Sequence, residues 1–349
     1  MSGNKKIGLY TDPHFSQSSS IIVGRRGEFT GRLSNLISSY EWMDKLFKKE
    51  QVDYVVCLGD VTDKPVLTSE EITAMSRCPG LETHKIILGN HCRSDKDGRI
   101  NSVANYDTIE SPQWVDKDAG IYALPYNHDI VELKDIEPKP RVILSHNDIK
   151  GYDLGGHISE EGYEISDILE NCELFINGHL HNGGWVVKDR IMNLGNLSGM
   201  NFSSCGGEWE PSVAILNIND NGSSLQRYEN PYAYRFKKEE FKTLTKLKGY
   251  LDNLPEVGQY VLQVKMPDNL AQKSRKLLEQ CDKVVASRIL TYRKTTSTKK
   301  EQEKISLNSD SKDVYTKLKE FVNSQNPKYS LDIINKVIDK ISQESEGAE

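Results

Sequence analysis

The sequence contains no long apolar segment and no recognisable cysteine motif. Its six cysteines, at positions 57, 78, 92, 172, 205 and 281, include no Cys-x-x-Cys pair. Scattered cysteines of this kind predict reduced thiols rather than a disulfide framework or a zinc ribbon. No apolar run approaches the roughly 18–20 residues of a membrane span, and residues 1–6 lead into no signal-peptide core. We therefore expect a cytoplasmic protein with no membrane partner.

Charge is distributed unevenly along the chain. The formal net charge is −6, which argues against a generic nucleic-acid binder, and the mean hydropathy is −0.58. Residues 233–305 nevertheless carry 17 Lys and Arg against 9 Asp and Glu. A basic segment in an otherwise acidic chain is consistent with a surface that faces a polyanion, or with lysines that only solvate helices and linkers.

The first half of the chain alternates between strand and helix patterns. We predict buried strands at 7–11, 54–58, 85–88, 141–145 and 174–176, with helices at about 33–47 and 69–77. This order is typical of an α/β protein with a parallel sheet and helices on its faces. Residues 93–140 are predicted to be a loop-rich insertion with short strands. From about residue 185 to 229, short strands separated by turns predict antiparallel pairing.

The composition changes after Pro231. A strand at 260–266, a helix at 270–280 and a strand at 284–292 predict a small β-α-β unit. We place a core at 1–232, a capping domain at 233–295, a polar linker at 296–311 and a helical hairpin at 312–343. The two predicted terminal helices carry apolar stripes that must be buried. The stripes either pack on each other or on the body of the protein, or they form a docking site for a partner.

Side chains that bind metals follow five of the predicted strands. They are Asp12, His14, Asp60, Asn90, His146, His179 and His181. Carboxylate, imidazole and amide ligands suit Mn, Fe or Zn. Seven such groups are too many for one ordinary ion, whereas two ions that share a central carboxylate, for which we choose Asp60, account for all of them. Two such ions clamp the attacking and leaving oxygens of a displacement at phosphorus and convert a water into a hydroxide nucleophile.

These motifs resemble those of the calcineurin-like metallophosphoesterases, from residue 7 to about 195. The resemblance implies a four-layer sandwich of mixed β-sheets flanked by helices. It implies one ion held by Asp12, His14, Asp60 and His181, and a second held by Asp60, Asn90, His146 and His179. It also implies that His91 assists catalysis at the phosphoryl group and that Asp63 orients the His91 ring. The family usually has an acidic residue where this sequence has Cys92, a change that would alter the tuning of His91.

The layout of the whole chain is similar to that of SbcD-type DNA repair nucleases, particularly the short phage-like form. This similarity implies a Mn-dependent DNA exonuclease and endonuclease, active in a bacterial or phage-infected cell in DNA repair, recombination or replication. It further implies homodimers, and an SbcC-type ATPase bound by the C-terminal helices. The alternatives are a stand-alone phosphoesterase for small molecules or phosphoproteins, and a non-catalytic scaffold. Lys64 stands where protein phosphatases of this fold usually have Arg, which disfavours a phosphoprotein substrate.

Overall fold

The computed structural model describes residues 4–19, 24–94, 101–126, 130–152, 158–202, 209–220 and 222–292. The chain divides into two compact units, Met1–Lys294 and Thr295–Glu349. The predicted linker at 296–311 and helical hairpin at 312–343 lie outside the described residues, so both stay predictions. Among the described residues, no helix is both long and apolar enough to span a membrane.

Two six-stranded mixed sheets form the body of the first unit. The strands are β1 (Lys5–Tyr10), β2 (Arg25–Arg26), β3 (Phe29–Thr30), β4 (Tyr54–Cys57), β5 (Lys85–Ile87), β6 (Asp107–Ile109), β7 (Gln113–Asp116), β8 (Ile121–Leu124), β9 (Val142–Ser145), β10 (Leu174–Asn177), β11 (Gly184–Val187), β12 (Ile191–Asn193), β13 (Ser212–Asn219) and β14 (Gly222–Glu229). The first sheet has the order β14-β13-β1-β4-β5-β6, and the second has the order β11-β12-β10-β9-β8-β7. Strands β2 and β3 form a separate small hairpin.

Helices cover the outer faces of the two sheets. They are α1 (Gly31–Lys49) and α2 (Ser69–Ser76) on the first sheet, and α3 (Ile165–Asn171) on the second. An apolar cluster lies between the sheets and contains residues such as Leu9, Val56 and Leu144. Separate clusters fill the spaces under α1 and α2 and under α3. This helix, sheet, sheet, helix order confirms the expected mixed α/β sandwich, in which each layer buries its apolar face against the next.

The parallel strands determine where the site lies. In the first sheet, β1, β4 and β5 are mutually parallel neighbours, and in the second sheet β9 pairs in parallel with β10. The carboxyl ends of parallel neighbours meet at one edge, which is where open α/β sheets bind ligands. All five predicted ligand-bearing loops leave strands at these ends.

The segment after residue 230 forms a three-stranded parallel sheet, which is one strand and one helix more than the predicted β-α-β unit. Strands β15 (Tyr234–Glu240), β16 (Gln259–Pro267) and β17 (Val284–Tyr292) alternate with α4 (Leu244–Asp252) and α5 (Ala271–Glu279). The sheet contacts the core through the edge-on rings of Phe202 and Phe236, whose centroids are 5.2 Å apart. The Tyr234 hydroxyl donates a hydrogen bond of 3.0 Å to the carbonyl of Gly31.

Candidate metal centre

The loops after β1 and β4 are joined by backbone hydrogen bonds. The amides of Asp12, His14 and Phe15 donate to the carbonyls of Gly59, Asp60 and Val61 at 3.1, 3.0 and 2.8 Å. The second sheet is connected to the first at the same place, because the His146 ring nitrogen Nδ1 lies 2.7 Å from the carbonyl oxygen of Leu58. These contacts bring ligand-bearing loops from both sheets to one point.

The predicted ligand side chains fall into two groups that meet at Asp60. Asp12, His14 and His181 form the first group, and Asp60, His146 and His179 form the second. Asp60 Oδ2 lies 3.1 Å from His146 Nε2 and 3.7 Å from His14 Nε2, so its carboxylate faces both groups. In the first group, Asp12 Oδ1 lies 3.4 Å from His14 Nε2 and 3.3 Å from His181 Nε2. Of the two carboxylates, Asp60 is therefore the one that contacts imidazoles of both groups, as a ligand shared by two ions would.

Several of these atoms are buried without a hydrogen-bond partner among the described residues. They include Asp12 Oδ1, Asn90 Oδ1 and His146 Nε2. Leaving a buried polar atom unpaired costs on the order of 1–3 kcal/mol. The three orphaned atoms are of types that bind divalent ions, so the residues fit a two-metal centre.

Backbone conformation at the ligands is unusual. Asp12, His14, Asp60 and His179 have left-handed φ values of 50°, 45°, 47° and 65°. Non-glycine residues rarely adopt this region, and each such residue costs on the order of 1–3 kcal/mol unless its surroundings impose it. Backbone strain concentrated at four of the seven candidate ligands indicates that the loops are shaped for the site rather than for stability alone.

Electrostatics in the site favour a bound cation. Burial opposes ionisation of Asp12, but the neighbouring imidazoles of His14 and His181 outweigh it and hold the pKa of Asp12 well below its usual range. Burial also opposes the charge on His14, yet Asp12 and Asp63 raise its pKa to about 9. Without metal, the carboxylates therefore retain a proton on His14. A bound metal ion displaces that proton, since ligands bind in their deprotonated forms.

Asp63 and His91 are placed differently from the expected pairing. The His91 ring nitrogen Nδ1 lies 3.0 Å from the backbone carbonyl oxygen of Asp63, not from its carboxylate. The Asp63 carboxylate instead lies 3.4 Å from His14 Nδ1, and this contact is the main cause of its lowered pKa. His91 is exposed, and its ring packs edge-on against His14 with centroids 4.8 Å apart. Asp63 thus contacts both rings, through different groups.

Cys92 is fully buried behind His91. Burial raises the pKa of its thiol to about 11. A thiol that stays protonated at neutral pH is a poor nucleophile and metal ligand. The five cysteines that the structure describes are all free.

Three residues that support the site were missed in the sequence. Asn147 and Asn177 exchange amide hydrogen bonds, with Asn147 N donating to Asn177 Oδ1 at 3.2 Å and Asn177 Nδ2 donating to the Asn147 carbonyl at 2.9 Å. Buried Arg32 donates to the carbonyls of Pro13, His14 and Gly199 at 3.2, 3.3 and 3.1 Å. The sequence could have indicated Asn147, because it adjoins the predicted ligand His146. It gave no such indication for Arg32, which has the pattern of an ordinary polar residue of a helix.

Comparison with known proteins gives the family. The model of the calcineurin-like phosphoesterases matches residues 5–193, which is more than half of the chain and contains every predicted ligand. The chain belongs to this family of phosphoesterases. It is therefore a hydrolase of the metal-dependent kind that acts on phosphoester bonds, and the geometry described above supplies the residues for that chemistry.

Solved structures with some similarity are also phosphoesterases by name. One is a dimetal phosphatase from Danio rerio, 12% identical with a TM-score of 0.37, and the match covers 65% of this chain and 99% of that one. Another is YfcE, a phosphoesterase from E. coli, 15% identical with a TM-score of 0.31, covering 64% and 99%. TM-scores of this size do not establish a shared fold. No curated protein matches the chain.

Proposed function

We propose that this protein is a Mn-dependent phosphodiesterase that cuts DNA in the cytoplasm together with an ATPase partner. The observation that carries the proposal is the position of Asp60 between two groups of metal-binding side chains in a chain of this family. The first ion would be held by Asp12, His14, Asp60 and His181, and the second by Asp60, Asn90, His146 and His179. Bound ions of this kind activate a water and neutralise charge on the phosphate.

His91 is suited to act on the substrate. Its ring is exposed at the rim of the site, while its Nδ1 contacts the Asp63 carbonyl at 3.0 Å and its backbone amide donates to Asp60 Oδ1 at 2.9 Å. Ligand atoms of His91, His14 and Asp60 lie within 4.8 Å of one another, so with Nδ1 held by a carbonyl we infer that the other ring nitrogen meets the substrate beside the metal ligands. We assign to it the protonation of the leaving oxygen, a role that requires hydrogen-bond reach to that atom.

The three-stranded unit supports a DNA substrate. Between residues 233 and 292 there are 12 Lys and Arg against 7 Asp and Glu. Exposed Lys246 and Lys248 on α4 and Lys273 and Lys276 on α5 form no ion pair with a described acidic residue. Unpaired lysines on exposed helix faces suit contacts with phosphates, which make up most of the sequence-independent affinity for DNA.

The first experiment compares substrates during a Mn titration of the full chain. Linear duplex DNA, single-stranded DNA and a phosphomonoester are supplied in parallel. We expect Mn-stimulated cleavage of DNA, and we expect His91→Ala to abolish it while two ions remain bound. Wild-type activity in that variant would remove His91 from the mechanism. Turnover of the monoester far faster than of any diester would favour the stand-alone phosphoesterase instead.

A second experiment separates DNA binding from the chemistry. The double variant Lys273→Glu with Lys276→Glu should weaken DNA cleavage and lower the salt dependence of binding by about two phosphate contacts. Its hydrolysis of a small chromogenic phosphodiester should stay at the wild-type rate. The matched control reverses exposed Lys45 and Lys49 of α1, at the same change in net charge. Equal loss in both variants would show a general charge effect and contradict a DNA-facing cap.

We assign partner binding to the predicted C-terminal helices. Deletion of residues 312–349 should abolish co-purification with the ATPase and spare the metal-dependent hydrolysis of the small diester. Retention of the ATPase by the truncated protein would show that it docks elsewhere.

We also propose a homodimer formed through the region of α2. Ile72 and Val66 are 56% and 76% exposed there. Ile72 lines a cavity of about 450 Å³ together with residues such as Leu67, Met75 and Tyr106. A second copy of the chain would remove this apolar surface from water.

A further inference from the structure

A carboxylate that no motif includes lies beside the second group of ligands. Asp148 comes two residues after His146, and its Oδ1 lies 3.5 Å from His179 Nε2. Both side chains are mostly buried, with 25% of Asp148 and 18% of His179 exposed. The contact therefore lies largely out of water, where an interaction between a carboxylate and an imidazole is strongest.

Two other histidines of the site also have one ring nitrogen next to a hydrogen-bond acceptor, which leaves the second ring nitrogen for the site. His146 Nδ1 lies 2.7 Å from the Leu58 carbonyl, and His91 Nδ1 lies 3.0 Å from the Asp63 carbonyl. An imidazole that binds a metal through one nitrogen usually donates from the other to a carbonyl or carboxylate, which selects the tautomer and the ring orientation. For His179, the acceptor lies at Nε2 instead, and it is the carboxylate of Asp148.

The loop that carries Asp148 is held by several contacts. Its backbone carbonyl accepts a hydrogen bond of 3.0 Å from the amide of Tyr163. Gly162 approaches so closely, at a φ of +100°, that a Cβ there would lie 2.2 Å from the same carbonyl oxygen. The amide exchange between Asn147 and Asn177 joins this loop to the one that carries His179. The two partners are thus kept at one separation by the hydrogen bonds of their loops.

We propose that Asp148 is a positioning residue for the second metal ion, holding the proton of His179 on Nε2 so that Nδ1 presents its lone pair to the ion. A residue that hydrogen-bonds a metal-ligating histidine in this way typically contributes about 10–100-fold to metal affinity. The inference concerns metal binding and does not depend on which phosphoester is cut, so it can fail while the proposed function stands, and the reverse.

The test uses Asp148→Asn and Asp148→Ala in the full chain, with Glu160→Gln as the matched control. Glu160 is an exposed carboxylate of the same loop that makes no ion pair with a described residue. Mn binding is measured by calorimetry and by electron paramagnetic resonance. We expect one of the two Mn sites to weaken by about 10–100-fold in the Asp148 variants, with the other site unchanged. Saturating Mn should restore turnover, and Glu160→Gln should match the wild type.

Two further measurements separate positioning from a structural role. Thermal unfolding of the metal-free variants should match that of the metal-free wild type. Nitrogen-15 spectra of the histidines in Zn-loaded protein should show His179 protonated on Nε2 in the wild type and a changed pattern in Asp148→Ala. Wild-type Mn affinity at both sites, or a metal-free protein destabilised as much as the metal-loaded one, would overturn the proposal.

Discussion

Replacing Gly89 with alanine tests whether the position of the Asp60 carboxylate sets the affinity for both ions. A Cβ at position 89 would lie 2.1 Å from Asp60 Oδ1 and 2.5 Å from the Asp60 backbone nitrogen. The same Oδ1 accepts the hydrogen bond of 2.9 Å from the His91 amide. An added methyl group therefore cannot be accommodated without moving the carboxylate or the loop that carries His91.

The size of the effect follows from these distances. Ordinary contact begins near 3.4 Å, so the carboxylate and the new methyl group must separate by roughly 1.3 Å. A misplacement of about 1 Å in a catalytic arrangement costs on the order of 100-fold in rate. Because Asp60 faces both ligand groups, we expect Mn affinity to fall at both sites.

The assay measures Mn binding by calorimetry and hydrolysis of a small chromogenic phosphodiester. Gly8→Ala is the control, since a Cβ there would meet the Phe47 ring at 2.8 Å, in the core and away from the ligands. Overpacking of this kind costs about 1–3 kcal/mol of stability, and metal affinity should be unchanged. Wild-type affinity for both Mn ions in Gly89→Ala would refute the reasoning that the present position of the Asp60 carboxylate sets the affinity of both sites.

Three other predictions concern stability and assembly. Burial lowers the pKa of His84 to about 4, so the folded protein binds this proton less tightly than the unfolded chain. The resulting stabilisation is complete above about pH 6.5 and is lost as the pH falls through 4, by about 3 kcal/mol. His84→Gln should remove this change from the pH dependence of the unfolding free energy. The same pH dependence in the variant and the wild type would contradict the assignment to His84. Arg32→Met should lower the free energy of unfolding by about 3 kcal/mol, since it leaves three carbonyls unpaired. The same variant should bind Mn more weakly at the group that contains His14. Wild-type stability in a denaturant titration and wild-type Mn affinity in calorimetry would show that the three hydrogen bonds of Arg32 are dispensable. Ile72→Asp should convert the proposed dimer to a monomer in light scattering, with exposed Ile158→Asp as the control, and a monomeric wild type would refute the dimer.

The convergence of the ligands was predictable because it depends on local patterns. Each ligand follows a short apolar strand, and strands in a parallel sheet carry their carboxyl ends to one edge. Asp60 and His146 were therefore placed near each other without knowledge of the loops. The contact of the Asp63 carboxylate with His14 rather than His91 was not predictable, because it depends on loop conformations that the sequence pattern does not specify.

Two elements of the last described segment were missed for physical reasons. Strand β15 contains only two alternating apolar residues, Tyr234 and Phe236, followed by four charged residues. Such a strand is recognisable as one only when it pairs with β16. Helix α4 carries Leu244, Leu247 and Leu251 at helical spacing, but Gly249 in its interior weakens the local signal. Both elements are stabilised mainly by tertiary packing.

The sequence by itself determined which residues are candidate metal ligands, and the order in which they arise, because strand periodicity and ligand chemistry are local properties. The tertiary structure decided that Asp60 lies between the two groups, that Arg32 clamps the first loop and that Asp148 faces His179. Those contacts join residues such as Asp12 and His181, which are far apart in the chain. They depend on the packing of two sheets face to face, and no local pattern in the sequence specifies that arrangement.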